Sequence, residues 1–89
     1  MSQRVATVAS ALGLHARPAS LFSQAAAATG VPVTIAKAGG APVDAASVLL
    51  VMTLAAKKGD EVTLASDDEG VLDELARMIE TDLDADGAS

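Results

Sequence analysis

Pro18 stands at the head of an alanine-rich stretch running to Ala28, and this placement constrains the fold more than any other feature of the chain. Proline is accepted only in the first turn of a helix, where its missing N–H is no loss, so a helix must begin close to residue 16. Alanine content carries it over 16–28, and Gly30 stands just past its end. Ala19, Phe22 and Ala26 share one face. That face is small, so close packing is expected. Residues 4–9 form a strand with weak alternation. Val31, Val33 and Ile35 alternate with Pro32, Thr34 and Ala36 in a second strand, and Gly39-Gly40 turns the chain into a short strand at 42–44, making a hairpin. Ser47 caps a short helix over 48–54, which Lys57-Lys58-Gly59-Asp60 closes with two cations and a turn. A fourth strand spans 61–65. The last helix has Asp67, Asp68 and Glu69 near its start and a stripe of Val71, Leu72, Leu75, Met78 and Ile79. The order β-α-β-β-α-β-α predicts an α+β fold of two layers, one mostly antiparallel sheet with three helices on a single face. The other face meets solvent, which suits Thr7, Thr34 and Thr63. A ferredoxin-like arrangement competes, because strand order does not follow from element order.

With 89 residues the chain forms one domain, 1–89, near the small end of what folds without staples, with 83–89 a frayed polar tail. It has no cysteine, which excludes a thiol nucleophile, and one histidine, a poor start for a zinc site. No cofactor and no metal are expected. The longest apolar run, Val48 to Met52, is far short of a membrane span, and no signal-peptide core follows Met1, so a cytoplasmic location without membrane insertion is expected. The net charge of −6 conceals a division. Residues 1–59 carry five cations against Asp44 alone, a net of +4, whereas residues 60–89 carry eleven acids against Arg77, a net of −10. Few cations and a single aromatic argue against nucleic acid.

Gly13-Leu14-His15-Ala16-Arg17-Pro18-Ala19 puts the only histidine directly before the helix start, as its N-cap or the neighbour of it. The backbone N–H groups of Ala16 and Arg17 then have no intrahelical partner. Donors and helix dipole together favour an anion at that end. An unperturbed imidazole, with a pKa of about 6.5, offers a neutral nitrogen near pH 7. Arg17 adds a permanently charged planar fork suited to phosphoryl oxygens. A histidine at a helix start can equally be a plain capping residue, and Ser47 reads equally well as an ordinary N-cap. No hydroxyl, acid or metal cluster accompanies His15, which leaves an autonomous hydrolase weakly supported.

The same seven residues resemble the active-site motif of the HPr family, the histidine phosphocarriers of the bacterial phosphoenolpyruvate-dependent sugar phosphotransferase system. The resemblance continues through Val43-Asp44-Ala45-Ala46-Ser47-Val48-Leu49, similar to the family's regulatory-serine segment, and through Lys58-Gly59-Asp60-Glu61-Val62-Thr63-Leu64. It implies an open-faced two-layer sandwich with strand order 1-4-2-3. It also implies a monomeric, stoichiometric carrier, not an enzyme, in which His15 Nδ1 accepts a phosphoryl group from enzyme I and passes it to IIA domains. Arg17 and the amides of Ala16 and Arg17 would cradle that group, with Gly13 allowing close backbone approach. A regulatory kinase phosphorylates the serine in some lineages, but Ala46 stands where the family usually has lysine. Ser20 and Leu21 beside the histidine, with Val48, Leu49 and Met52, are the expected partner-docking patch. Gln24 and Leu50 occupy places where relatives often carry lysine, which weakens steering. A paralogue in a regulatory, nitrogen-type phosphorelay, acting as a signalling module, is the alternative and differs only in partners.

Overall fold

The computed structural model describes residues 2–9, 13 and 16–81; the expectations for His15 and for the tail at 83–89 lie outside the described residues. Strand β1 spans Ser2–Thr7, two residues earlier than its weak alternation suggests. Partnership sets its end: β4, Glu61–Ser66, pairs antiparallel with it from Ser2↔Ser66 to Thr7↔Glu61. Beyond that ladder the Ala9 N–H turns away to the carbonyl of Ile79, at 3.0 Å. Helix α1 runs Ala16–Ala28 as expected. At its end the Thr29 hydroxyl donates to the Ala26 carbonyl at 2.7 Å, and Gly30 takes a left-handed φ of 70°.

Strand β2 is Val33–Lys37, starting later than the alternation of 31–36 predicts. Pro32 has no N–H for a ladder, and the Val31 N–H is taken by the Thr29 hydroxyl at 3.2 Å. Gly39-Gly40 forms the hairpin turn, with the Gly40 N–H on the Lys37 carbonyl at 2.8 Å, and β3 is only Val43–Asp44. Helix α2, Val48–Thr53, is capped by Ser47. The expectation that Lys57-Lys58-Gly59-Asp60 closes this helix is corrected. The helix stops at Thr53, has no basic residue in its last turn, and the chain leaves through Ala55 at a φ of 52°. Residues 57–60 form a separate turn, with the Asp60 N–H on the Lys57 carbonyl at 2.9 Å. Helix α3, Glu69–Ile79, begins at Asp68, whose side chain accepts from the Val71 N–H at 3.2 Å.

The sheet order is β1-β4-β2-β3, all neighbours antiparallel. Phe22 of α1, Ile35 and Leu64 of the central strands, and Leu72, Leu75 and Ile79 of α3 are fully buried and form the core. Burying each such side chain is worth roughly 1.5–3 kcal/mol. The alternate positions, Val5, Thr7, Thr34 and Thr63, lie on the open face, where Val5 is 54% exposed. The fold is the open-faced α+β sandwich with three helices on one side of the sheet.

Candidate functional site

The helix start is a consequence of Pro18, which is buried in the first turn of α1 while Ala16 and Arg17 before it are exposed. Because α1 opens at Ala16, the N–H groups of Ala16 and Arg17 lack intrahelical acceptors. No acid occupies this first turn. Nothing therefore neutralises the positive end of the helix dipole from within the helix. The Arg17 guanidinium forms no ion pair with another described residue.

Gly13 supplies the other described edge of the site. It is buried, has a φ of 78°, and lies so close to the 55–58 segment that a Cβ there would stand 2.3 Å from the Ala56 carbonyl oxygen and 2.8 Å from Lys57 Cα. The backbone approach expected of this glycine is thus an approach to another stretch of the chain. Sequence reasoning identified the glycine and missed its partner, which carried no local signal.

Helices α1 and α2 pack on one another, which brings together the two elements expected to bear the docking patch. Leu49 is 76% exposed, and Leu21 and Met52 are more than one-third exposed. Ser20 is half-buried and accepts from the Gln24 side-chain amide at 3.0 Å. Val48 is partly buried against the core, and Val51 is the member of the apolar run that seals the helix to it. Leu50, noted from sequence only as a substitute for lysine, is also exposed. The Ser47 hydroxyl accepts from the Leu50 N–H at 3.3 Å, an N-cap on a half-buried serine.

A cavity of about 590 Å³ lies elsewhere, between the carboxyl end of α1 and β3, lined by Ala26, Gly30, Pro32, Val43 and Asp44. Asp44 is the one ionisable residue among the described residues of its lining. Among the described residues no cluster of three His, Cys, Asp or Glu side chains is placed to hold a metal, and no helix is long and apolar enough to cross a membrane.

An open-faced sandwich whose first helix has an acid-free first turn immediately after the chain's single histidine defines the class of small histidine phosphocarriers. Residues 2–81 match the family model described as "PTS HPr component phosphorylation site". The chain is 57% identical over 82 residues to phosphocarrier protein HPr of Streptomyces coelicolor, covering 89% of this chain and 88% of that protein. Among solved structures it superposes on HPr-C-His from Thermoanaerobacter tengcongensis with a TM-score of 0.81 at 31% identity, covering 90% of this chain and 92% of that one. For HPr from Bacillus anthracis the TM-score is 0.79 at 36% identity, with 88% and 95% covered. The chain belongs to the HPr phosphocarrier family, named for the phosphotransferase system and represented by these bacterial relatives.

Proposed function

We propose that this chain is the phosphocarrier of a phosphoenolpyruvate-dependent sugar phosphotransferase system, shuttling a phosphoryl group in the cytoplasm between enzyme I and the IIA domains of sugar permeases. Residues 1–89 act as one carrier domain, a monomer that turns over stoichiometrically and is not an enzyme. The neutral Nδ1 of His15 attacks the phosphorus held by enzyme I; the bond to the enzyme I nitrogen breaks as the new N–P bond forms. The reverse exchange delivers the group to a IIA histidine. Arg17 spreads its fork over the equatorial oxygens, and the Ala16 and Arg17 N–H groups donate to the phosphoryl oxygens at the helix end. Phosphoryl transfer asks chiefly for positioning and charge stabilisation, so few residues suffice.

The observation that carries this reading is the start of α1 at Ala16, directly after His15, with no acid in its first turn. An exposed helix end of this kind stabilises an anion by only ~0.3–1 kcal/mol. Such a modest hold suits a group that must be passed on. Ser20, Leu21, Val48, Leu49 and Met52 serve docking, Val48 mainly as the support beneath the exposed pair on α2. Ser47 is open to a serine kinase, with α2 altered by the added charge.

Incubation with phosphoenolpyruvate and a compatible enzyme I, followed by intact mass and phosphorus NMR on wild type and His15→Ala, tests the assignment. One acid-labile phosphoryl group on wild type and none on a folded His15→Ala is the expected result. No gain, with the same enzyme I active on another HPr, would move the chain to a regulatory phosphorelay with a different donor.

A further inference from the structure

The chain has no cysteine and carries its sulfur in three methionines, so a two-electron oxidant meets thioethers and no thiol. Met1 lies outside the described residues, and Met78 of α3 is partly buried and packed against the core. Met52 of α2 is exposed. One turn before it on the same helix face stands Leu49, the most exposed large apolar side chain among the described residues. Leu50 lies beside this pair, and Leu21 is exposed on α1, which packs against α2.

An oxygen on the Met52 sulfur would change this surface more than the fold. Val51, fully buried, holds α2 to the core, and the cap at Ser47 is more than a turn away. The Met52 side chain is flexible and apolar, whereas its sulfoxide is polar and brings a strong hydrogen-bond acceptor. The hydroxyl next to it, that of Thr53, already donates to the Leu50 carbonyl. Its other exposed neighbours are leucines. Water satisfies the sulfoxide oxygen in the free protein. A partner that excludes water from the patch leaves that oxygen unpaired.

We propose that Met52 is a reversible oxidation site that weakens docking of the carrier to its phosphoryl donor, an inference that rests on the carrier function and docking patch proposed above. The oxidant class is a hydroperoxide. With hydrogen peroxide, a lone pair of the Met52 sulfur attacks one peroxide oxygen, the S–O bond forms as the O–O bond breaks, and proton transfer lets water leave. The thioether is oxidised by two electrons and the peroxide reduced by two. A dithiol reverses the step, removing the oxygen as water and becoming a disulfide.

Graded hydrogen peroxide treatment of wild type, Met52→Leu and Met78→Leu, with peptide mass mapping and rapid-quench transfer from phosphorylated enzyme I, tests it. Each protein is compared with its own untreated form. Wild type and Met78→Leu oxidised at Met52 are expected to lose roughly tenfold in the second-order constant while keeping the maximal rate at saturating donor. Methionine sulfoxide reductases are expected to restore both mass and rate, and treated Met52→Leu to keep its own untreated constant. Oxygen mapped to Met52 with an unchanged constant would overturn the proposal, as would an equal loss in treated Met52→Leu. A fall in the maximal rate would also overturn it, by placing the effect on the fold or on the transfer step. Failure of untreated wild type to accept from an enzyme I proven on another HPr would remove the carrier reading and this inference with it, a result distinct from the others.

Discussion

At the scale of single residues, Gly13 and Gly30 form a natural experiment. Both adopt left-handed backbone, but an added Cβ meets nothing within 4 Å at Gly30 and the backbone of Ala56 and Lys57 at Gly13. Gly30→Ala should therefore lose only the left-handed preference, about 1 kcal/mol. Gly13→Ala adds a collision that only backbone movement relieves, and should cost about 2–3 kcal/mol in all. For a domain of this size that separates the two melting temperatures by several degrees, about 4–8 °C for each kcal/mol. Gly13→Ala should also slow phosphoryl acceptance, because its relief displaces the approach to His15; melts that coincide for the two variants would refute the account. The motif Gly13 to Ala19 was legible because proline, arginine and histidine each restrict their surroundings locally. Ala56, the wall against Gly13, was not, since an alanine carbonyl far along the chain leaves no mark in sequence.

At the scale of elements, the cap of α2 falls on the residue proposed for phosphorylation. Ser47 satisfies the Leu50 N–H, so Ser47→Ala should cost about 1 kcal/mol, whereas Ser47→Asp keeps an acceptor and adds charge of the sign favoured at a helix start. Thermal unfolding should rank Ser47→Asp above Ser47→Ala, while transfer from enzyme I should be slower for Ser47→Asp than for Ser47→Ala, because its charge stands beside exposed Leu49 and Leu50. The reverse order in transfer would detach Ser47 from the docking patch. The start of this helix was readable from Ser47; its end was not. Sequence reasoning looks for glycine after a helix and finds Gly59, whereas the chain turns at Ala55 in left-handed backbone. Ala55→Gly should accordingly stabilise the protein by about 0.5–1 kcal/mol, measurable as a shift of the denaturation midpoint with unchanged slope. The start of β1 shows the same limit, since its bounds come from pairing with β4 and its own alternation is faint.

At the scale of the whole molecule, the order β1-β4-β2-β3 places the last strand between the first two, a pairing that local periodicity did not determine and the family resemblance supplied. The consequence is that Asp60, just before β4, stands where three strand ends meet. Its carbonyl accepts from Val8 beyond β1, and its carboxylate accepts from the Lys57 N–H and faces Lys37 at the end of β2. The hydrogen bond from the Lys57 N–H, with the Lys37 charge behind it, holds this carboxyl below the usual aspartate value. A carboxyl lowered in the folded state binds a proton more readily when the chain is unfolded. Its contribution is therefore present above the unfolded aspartate pKa of about 3.9 and is lost as pH falls through the lower folded value. Asp60→Asn should be less stable than wild type at neutral pH by a margin that stays constant down to about pH 5 and closes below about pH 4. Urea unfolding of both proteins from pH 7 to pH 3 reads this directly. Margins that stay parallel to pH 3 would show that the carboxylate contributes nothing at this junction and that the backbone bonds alone join the three strand ends.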